Sequence, residues 1–355
     1  MNFYEKDKLS AIKAMEHAQW IAFAPFVFQA TRVLRDSNIL AIVEAKREGI
    51  TLEEIQQQVS LSPYAVRVLV EAGLGMGLLT LNDGKYKATK TAYFILHDKL
   101  TRVNMDLTQD VCYQGMYHLE ESLKTGKPEG LRVLGNWDTI YEGLSTNMDE
   151  KAKESWFAFD HYYSDYSFPQ VLPLVYAHKP KRLLDIGGNT GKWSMQSLAH
   201  DPDVHITIMD LPGYVEGARS RIEALGYGDR ISFYPCNVLD ESNPFPKGFD
   251  AIWMSQFLDC FSEDEITSIL KRCKAALAPG GKIFIMELFW DRQRFEASAF
   301  SLQQTSLYFT VMANGNSQMY DSKVFNKCIA AAGLRITSET DNIGVSHTLQ
   351  VCEPV

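Results

Sequence analysis

The C-terminal half of this chain repeats one pattern, a short continuous apolar run followed by a turn and then by apolar residues at helical spacing. Arg182 to Ile186 reads as a buried strand, and Lys192 to Ala199 follows with helical period. Val204 to Met209 and Phe249 to Met254 read as further strands. Ile266 to Leu277 reads as an amphipathic helix that stops at Pro279-Gly280-Gly281, and Lys282 to Leu288 is the next strand. Strands and helices alternating in this way predict a parallel α/β sheet.

The N-terminal half follows another logic. Ile39 to Ala45 reads as a helix ending before Gly49. Thr51, with Glu54 three positions on, has the spacing of a capping box. Ser62 is the expected N-cap of a helix from Pro63 to about Gly73. Leu78 to Leu81 and Lys85 to Ala88 flank Asp83-Gly84, which predicts a hairpin. Helix, turn, helix and hairpin together make a winged helix. Residues 12–40 read as a long helical stretch whose Trp20, Ile21, Phe23, Phe26, Val27 and Phe28 are too dense for a solvent face. It packs either against another chain or into the core of its own.

Winged helices suggest DNA, but the helix in the recognition position carries one Arg and one Glu on an otherwise apolar stretch. Reading a groove takes several basic and amide side chains. The net charge of −9 points the same way, so nucleic acid is not expected as a partner. The 355 residues exceed one ordinary domain, and 46% hydrophobic content suffices for a core. No apolar run approaches the ~20 residues that span a bilayer. The polar start M-N-F-Y-E-K-D-K-L does not resemble a secretory signal. Cysteines 112, 236, 260, 273, 328 and 352 are scattered without a C-x-x-C pair. Together these features predict a cytoplasmic protein with reduced thiols, no metal site and no membrane partner.

The first strand empties into Gly187, Gly188 and Gly191, where missing Cβ atoms let a ligand sit on the backbone. Asp210, 25 positions after Asp185, ends the second strand where a ribose-binding carboxylate belongs; its alternative reading is a helix or turn cap. The loop reads D-x-G-G-x-x-G rather than G-x-G-x-x-G. An acid ahead of the glycines suits a cationic or zwitterionic ligand better than a diphosphate. S-adenosylmethionine, with its sulfonium and amino groups, meets that preference, and NAD meets it poorly.

At this point the chain resembles the O-methyltransferase family of plant caffeate-type enzymes, acetylserotonin methyltransferase and bacterial polyketide-tailoring relatives. The resemblance rests on L-L-D-I-G-G-N-T-G at 183–191 and M-D-L-P at 209–212. It continues with F-D-A-I-W-M-S-Q-F-L-D-C-F-S-E-D-E at 249–265 and L-A-P-G-G-K-I-F-I-M-E at 277–287. It implies an α/β fold, with a C-terminal Rossmann-like class I methyltransferase domain and an N-terminal all-helical, winged-helix dimerisation domain. The expected boundaries are 1–105 for dimerisation, 106–175 for a helical connector contributing to the substrate pocket, and 176–355 for the methyltransferase domain.

S-adenosylmethionine is then the implied cofactor, with Asp185, Gly187, Gly188, Gly191, Asp210, Leu211, Asn237, Val238, Ser255 and Gln256 as its candidate contacts. The connector is rich in aromatic residues, whose flat faces suit planar ligands. Trp137, Trp156, Phe159, Tyr163 and Met312 are the candidate substrate contacts, whereas His161 reads as a surface histidine.

The catalytic position departs from the relatives. Where caffeate-type enzymes carry a histidine that takes the phenolic proton, alignment places Asp259, followed by Cys260 and Phe261. Of the two acids that orient that histidine, Glu287 matches the first, and Ser317 or a neighbour stands at the second. Asp259 and Glu287 are therefore the candidate catalytic pair. Two neighbouring buried carboxyls disfavour double ionisation, so one becomes a better base near neutral pH. Alternatively, an acidic phenol reacts through alignment alone.

The expected reaction is methyl transfer to a hydroxyl of a small aromatic or polyketide-like acceptor, in a homodimer. The alternatives are a decarboxylase-like or hydroxylase-like enzyme that keeps the cofactor structurally, and a winged-helix regulatory protein.

Overall fold

The computed structural model describes residues 3–355; Met1 and Asn2, where the first expected segment begins, lie outside the described residues. The chain forms two compact units, residues 4–106 and 107–355.

In the first unit, the stretch expected as one helix is two, α1 (Ala11–Ala22) and α2 (Ala24–Asp36). They part at Phe23 because Pro25 lies in the first turn of α2, where its missing N–H is tolerated but from which a continuous helix could not run back. Next come α3 (Ile39–Glu44), α4 (Leu52–Gln56) and α5 (Pro63–Gly75). The Thr51–Glu54 capping box closes reciprocally, with bonds of 2.8 and 3.3 Å. Ser62 Oγ accepts from the Ala65 amide at 3.2 Å. Strands β1 (Leu79–Asn82) and β2 (Lys85–Ala88) turn through Asp83 and Gly84, both at positive φ, as a two-residue hairpin requires. The unit closes with α6 (Lys90–His97) and α7 (Lys99–Leu107), which runs to its boundary.

Leu34, Leu40, Ile55, Val66 and Val70 fill its core. By contrast α1 has no buried residue, and Ile12 and Phe26 stay 66% and 72% exposed. Of this stretch, α1 is no intramolecular core helix, whereas the last turns of α2 bury Leu34 in the core.

The second unit opens with α8 (Leu119–Thr125), α9 (Ile140–Ser145), α10 (Glu150–Asp165) and α11 (Phe168–Tyr176). The sheet part then runs β3 (Arg182–Ile186), α12 (Lys192–His200), β4 (His205–Asp210), α13 (Pro212–Ala224), β5 (Ile231–Pro235), β6 (Phe249–Ser255), α14 (Glu263–Ala276) and β7 (Leu277–Glu287). It ends with α15 (Glu296–Tyr308), α16 (Ser322–Ala331), β8 (Leu334–Ile343) and β9 (His347–Pro354). The seven strands lie in the order β5-β4-β3-β6-β7-β9-β8.

Five strands are parallel, the four expected ones joined by β5, but β8 and β9 run antiparallel to each other, so the sheet is mixed. A short turn joins β8 to β9, and strands so joined can only pair antiparallel. Pro279-Gly280-Gly281 lies inside β7 rather than ahead of it, as an irregularity between Leu277 and Lys282 in the pairing with β6.

Both faces of the sheet are buried. Leu184, Ile252 and Ile283 serve one core, and Leu183, Ala251 and Phe284 the other. Alternate side chains leave opposite faces of a strand, and helices cover both, which explains the near-continuous apolar strands. No helix among the described residues is long and apolar enough to cross a membrane, and the six cysteines are unpaired.

Candidate active site

The strand order reverses on either side of β3, and such a switch point opens a crevice at the carboxyl ends of the strands. A cavity of about 460 Å³ lies there, bordered by the loops after β3, β4, β5 and β6 and roofed by α10, α13 and α15.

Asp185 ends its strand almost fully buried and accepts from Ser194 Oγ at 2.5 Å; burial pushes its carboxyl up to about 7. Gly187 sits at φ +74, and a Cβ there would stand 2.3 Å from the Phe257 ring. Asp210 ends β4, with one oxygen accepting from the Asn189 amide at 2.8 Å and the other from its neighbour Leu211 at 2.7 Å. Burial raises it to about 6, and those two N–H groups hold it back from going higher.

Asp185, Gly187, Gly188, Asp210, Leu211, Asn237, Val238, Ser255 and Gln256 all border the cavity. Gly191 does not: at φ +76 it caps α12 and packs on Ile222. Asn189 Oδ1, Trp193 Nε1 and Ser255 Oγ belong to wall residues and are buried with no protein partner. Orphaned polar atoms beside two carboxyls that suit ribose hydroxyls and positive charge fit an adenosyl sulfonium ligand.

At the other end, Asp259 is 4% exposed in a short 3-10 turn after β6. Glu287, at the end of β7, stands behind the wall rather than on it. Its Oε1 accepts the amides of Phe257 and Leu258 at 3.1 and 2.8 Å, and so shapes that turn. Its Oε2 is buried and unpartnered. Burial raises both carboxyls, Asp259 to about 7, and the Asp259 charge raises Glu287 further; near neutral pH the pair holds a proton.

Trp156 and Phe159 border the cavity as expected. Trp137, Tyr163 and Met312 do not. Trp137 fills the space over Gly135 and Gly143, Met312 packs against Gly115, and Tyr163 lies buried behind Phe159 at 4.9 Å between rings. His161, read as a surface residue, is on the wall, and burial drives its pKa down to about 4. Arg292, by contrast, is tied to Asp341 and Glu339.

Sequence comparison agrees with this geometry. The model of the O-methyltransferase domain family matches residues 116–335, and that of the Dimerisation2-like domain matches residues 16–86. The chain belongs to the O-methyltransferase domain family. It is 24% identical over 323 residues to an L-tyrosine C(3)-methyltransferase of Streptomyces lavendulae, covering 90% of this chain and 86% of that one. It is 27% identical over 241 residues to a 3-hydroxy-5-methyl-1-naphthoate 3-O-methyltransferase of Streptomyces sahachiroi, covering 67% of each. Among solved structures, the neocarzinostatin O-methyltransferase NcsB1, in complex with S-adenosylmethionine and a naphthoic acid, superposes with a TM-score of 0.70 at 18% identity, over 98% of this chain and all of that one. Human N-acetylserotonin methyltransferase in complex with S-adenosylmethionine gives 0.66 at 16%, over 100% and 99%. Both of these solved structures contain S-adenosylmethionine.

Several wall residues of the methyltransferase carried no sequence motif. Tyr308 accepts from Trp156 Nε1 at 2.7 Å across 152 residues. Phe309 opens a π-helical turn after α15. Asn314 donates to the Cys260 carbonyl and accepts from Ser317 Oγ at 2.7 Å, so an amide props the Asp259 turn. Asp160 on α10 also faces the cavity. Its signal was available, as an acid within the aromatic run W-F-A-F-D-H-Y-Y at 156–163.

Proposed function

We propose that this methyltransferase acts on a hydroxyl of a small aromatic or polyketide-like acceptor and that Asp259, backed by Glu287, receives the acceptor's proton. The observation carrying this reading is the buried Asp259, with Glu287 behind it, facing a cavity walled by Trp156, Phe159, Tyr308 and Phe309. S-adenosylmethionine supplies an electrophilic methyl group on sulfur. The aromatic walls hold a planar acceptor and exclude water, so alignment contributes alongside proton removal. The acceptor's oxygen forms the new bond to carbon as the carbon–sulfur bond breaks, the electron pair goes to sulfur, and the hydroxyl proton goes to the ionised Asp259 carboxyl. A carboxyl near pH 7 is better matched to a phenol than an ordinary aspartate.

A second reading places the methyl group on a ring carbon beside the hydroxyl. The relative named a C(3)-methyltransferase aligns with 90% of the chain, against 67% for the naphthoate O-methyltransferase. The same carboxyl would then deprotonate the phenol or take the proton from carbon. Nothing in the cavity favours the non-methylating or regulatory alternatives.

The test is calorimetric titration with S-adenosylmethionine and S-adenosylhomocysteine, followed by turnover of a phenol and naphthol panel by wild type and Asp259→Asn. We expect micromolar binding of both ligands, and a loss in kcat of roughly 10²–10⁴ in the variant with cofactor affinity held within a few-fold. Mass and NMR analysis of the product assigns the methylated atom. Full turnover by Asp259→Asn would remove the base, and failure of wild type to bind either ligand would remove the cofactor reading.

A further inference from the structure

Asp160 is held more elaborately than a wall residue needs to be. One carboxylate oxygen faces Asn189 Nδ2 at 3.2 Å and the other Gln256 Nε2 at 3.4 Å. Both donors stand on backbone at φ +48, a region that non-glycine residues rarely occupy and that clusters at functional sites. Each donor is itself anchored. The Asn189 amide donates to Asp210, while Gln256 donates its own amide to the Met286 carbonyl at 3.0 Å and meets fully buried His347 Nε2 at 2.8 Å through Oε1. Asp160 is thus pinned between the glycine loop after β3, whose Asn189 amide holds the ribose-facing Asp210, and the turn that carries Asp259.

The charges around it leave it short of a cation. Asp259, after β6, and Asp165, on α10, both oppose its ionisation, whereas Lys192 of α12 favours it. Lys192 is itself engaged with Asp165 at 2.8 Å. His161 Nδ1 lies 3.9 Å from Asp160 with the ring held neutral by burial, and Tyr214 of α13 senses the carboxylate without neutralising it. Two carboxyls therefore share one small volume, which invites a positive charge into the space between the ribose-facing acid and the acceptor end.

We propose that Asp160 reads the charge of the methyl donor, stabilising the sulfonium form over the demethylated thioether and so setting the preference between S-adenosylmethionine and S-adenosylhomocysteine. This rests on the reading that the cavity holds that cofactor. The two ligands share adenosine, ammonium and carboxylate, and differ by one methyl group and one positive charge. An ionised carboxylate in a partly dry cavity acts on that difference. When the charge disappears on turnover the attraction disappears with it, which favours release of the spent cofactor.

The experiment measures Kd for both ligands by calorimetry at pH 8 and pH 6, for wild type, Asp160→Asn and Asp160→Glu. The quantity compared is the ratio of the S-adenosylhomocysteine Kd to the S-adenosylmethionine Kd. At pH 8 we expect this ratio to fall about tenfold in Asp160→Asn, the scale of one pKa unit, and to persist in Asp160→Glu. In wild type the ratio should drop toward the Asn value at pH 6, as the carboxyl takes up its proton. Equal weakening of both ligands would overturn the proposal by assigning Asp160 to the shared ammonium group. Unchanged Kd values for both would also overturn it. Should Asp160→Asn fail to fold, a wild-type ratio identical at the two pH values would overturn it on its own. If wild type binds neither ligand, it is the cofactor reading that fails.

Discussion

In the proposed reaction, a carboxyl at position 259 rather than an imidazole changes what the surrounding residues must do. An imidazole needs a partner to fix its tautomer, whereas a carboxyl needs its ionisation moved toward neutrality. Burial does this, and Asn314 and Ser317 surround the turn with neutral hydrogen bonds that leave the local charge alone. Asp160 offers a measurement of the same electrostatics through stability. Its folded-state pKa is raised to about 7 from a usual value near 4, so the folded chain keeps the proton longer than the unfolded one. The stability it contributes is complete below about pH 4 and is lost as pH rises through about 7. Asparagine cannot ionise, so Asp160→Asn should gain on wild type between pH 5 and pH 8, by roughly 2–4 °C in thermal midpoint. A difference in midpoint that stays constant over this range would show that Asp160 titrates normally.

At the scale of elements, α14 couples local folding to the site. Ser262 Oγ accepts from the Glu265 amide, and Glu265 Oε2 in return accepts from the Ser262 amide at 2.8 Å, closing a capping box directly after the Asp259 turn. Glu265 also faces Asn316 at 3.4 Å, beside the Asn314 prop. Ser262→Ala should cost about 1 kcal/mol and lower the melting midpoint by roughly 2–4 °C. Because the cap lies on the acceptor side, S-adenosylhomocysteine affinity measured by calorimetry should stay within about twofold of wild type. A large loss of affinity would mean that the helix start also positions the cofactor loops.

At the scale of the molecule, the apolar surface of the first unit calls for a partner. Trp20, Ile21, Phe23 and Phe26 lie 45–72% exposed on α1, α2 and the joint between them, within the match to the Dimerisation2-like domain. Single soluble chains rarely leave such contiguous patches open. A second copy of this chain is the occupant we expect. Light scattering should therefore report a dimer for wild type and a monomer for the double variant Trp20→Asp, Phe26→Asp. A wild-type monomer at micromolar concentration would remove this assignment.

Local rules were enough to read the caps at Thr51 and Ser62, the Asp83-Gly84 hairpin, four of the five parallel strands and the glycine loop with Asp185 and Asp210. Each depends on hydrogen bonds, φ restrictions or apolar spacing within a few residues. The aromatic wall had no such signal. Phe159 and Tyr163 share one helical face at the level of spacing, yet one borders the cavity and the other is packed beneath it. Met312 and Trp137 were spent on filling space over glycines, and Tyr308 met Trp156 only because the fold joined segments 152 residues apart. The antiparallel end of the sheet, the pinning of Asp160 by two amides from separate loops and the place of Glu287 behind the wall have the same origin. Burial and electrostatic neighbours exist only once distant segments are packed, so tertiary structure alone decided which acids change their chemistry.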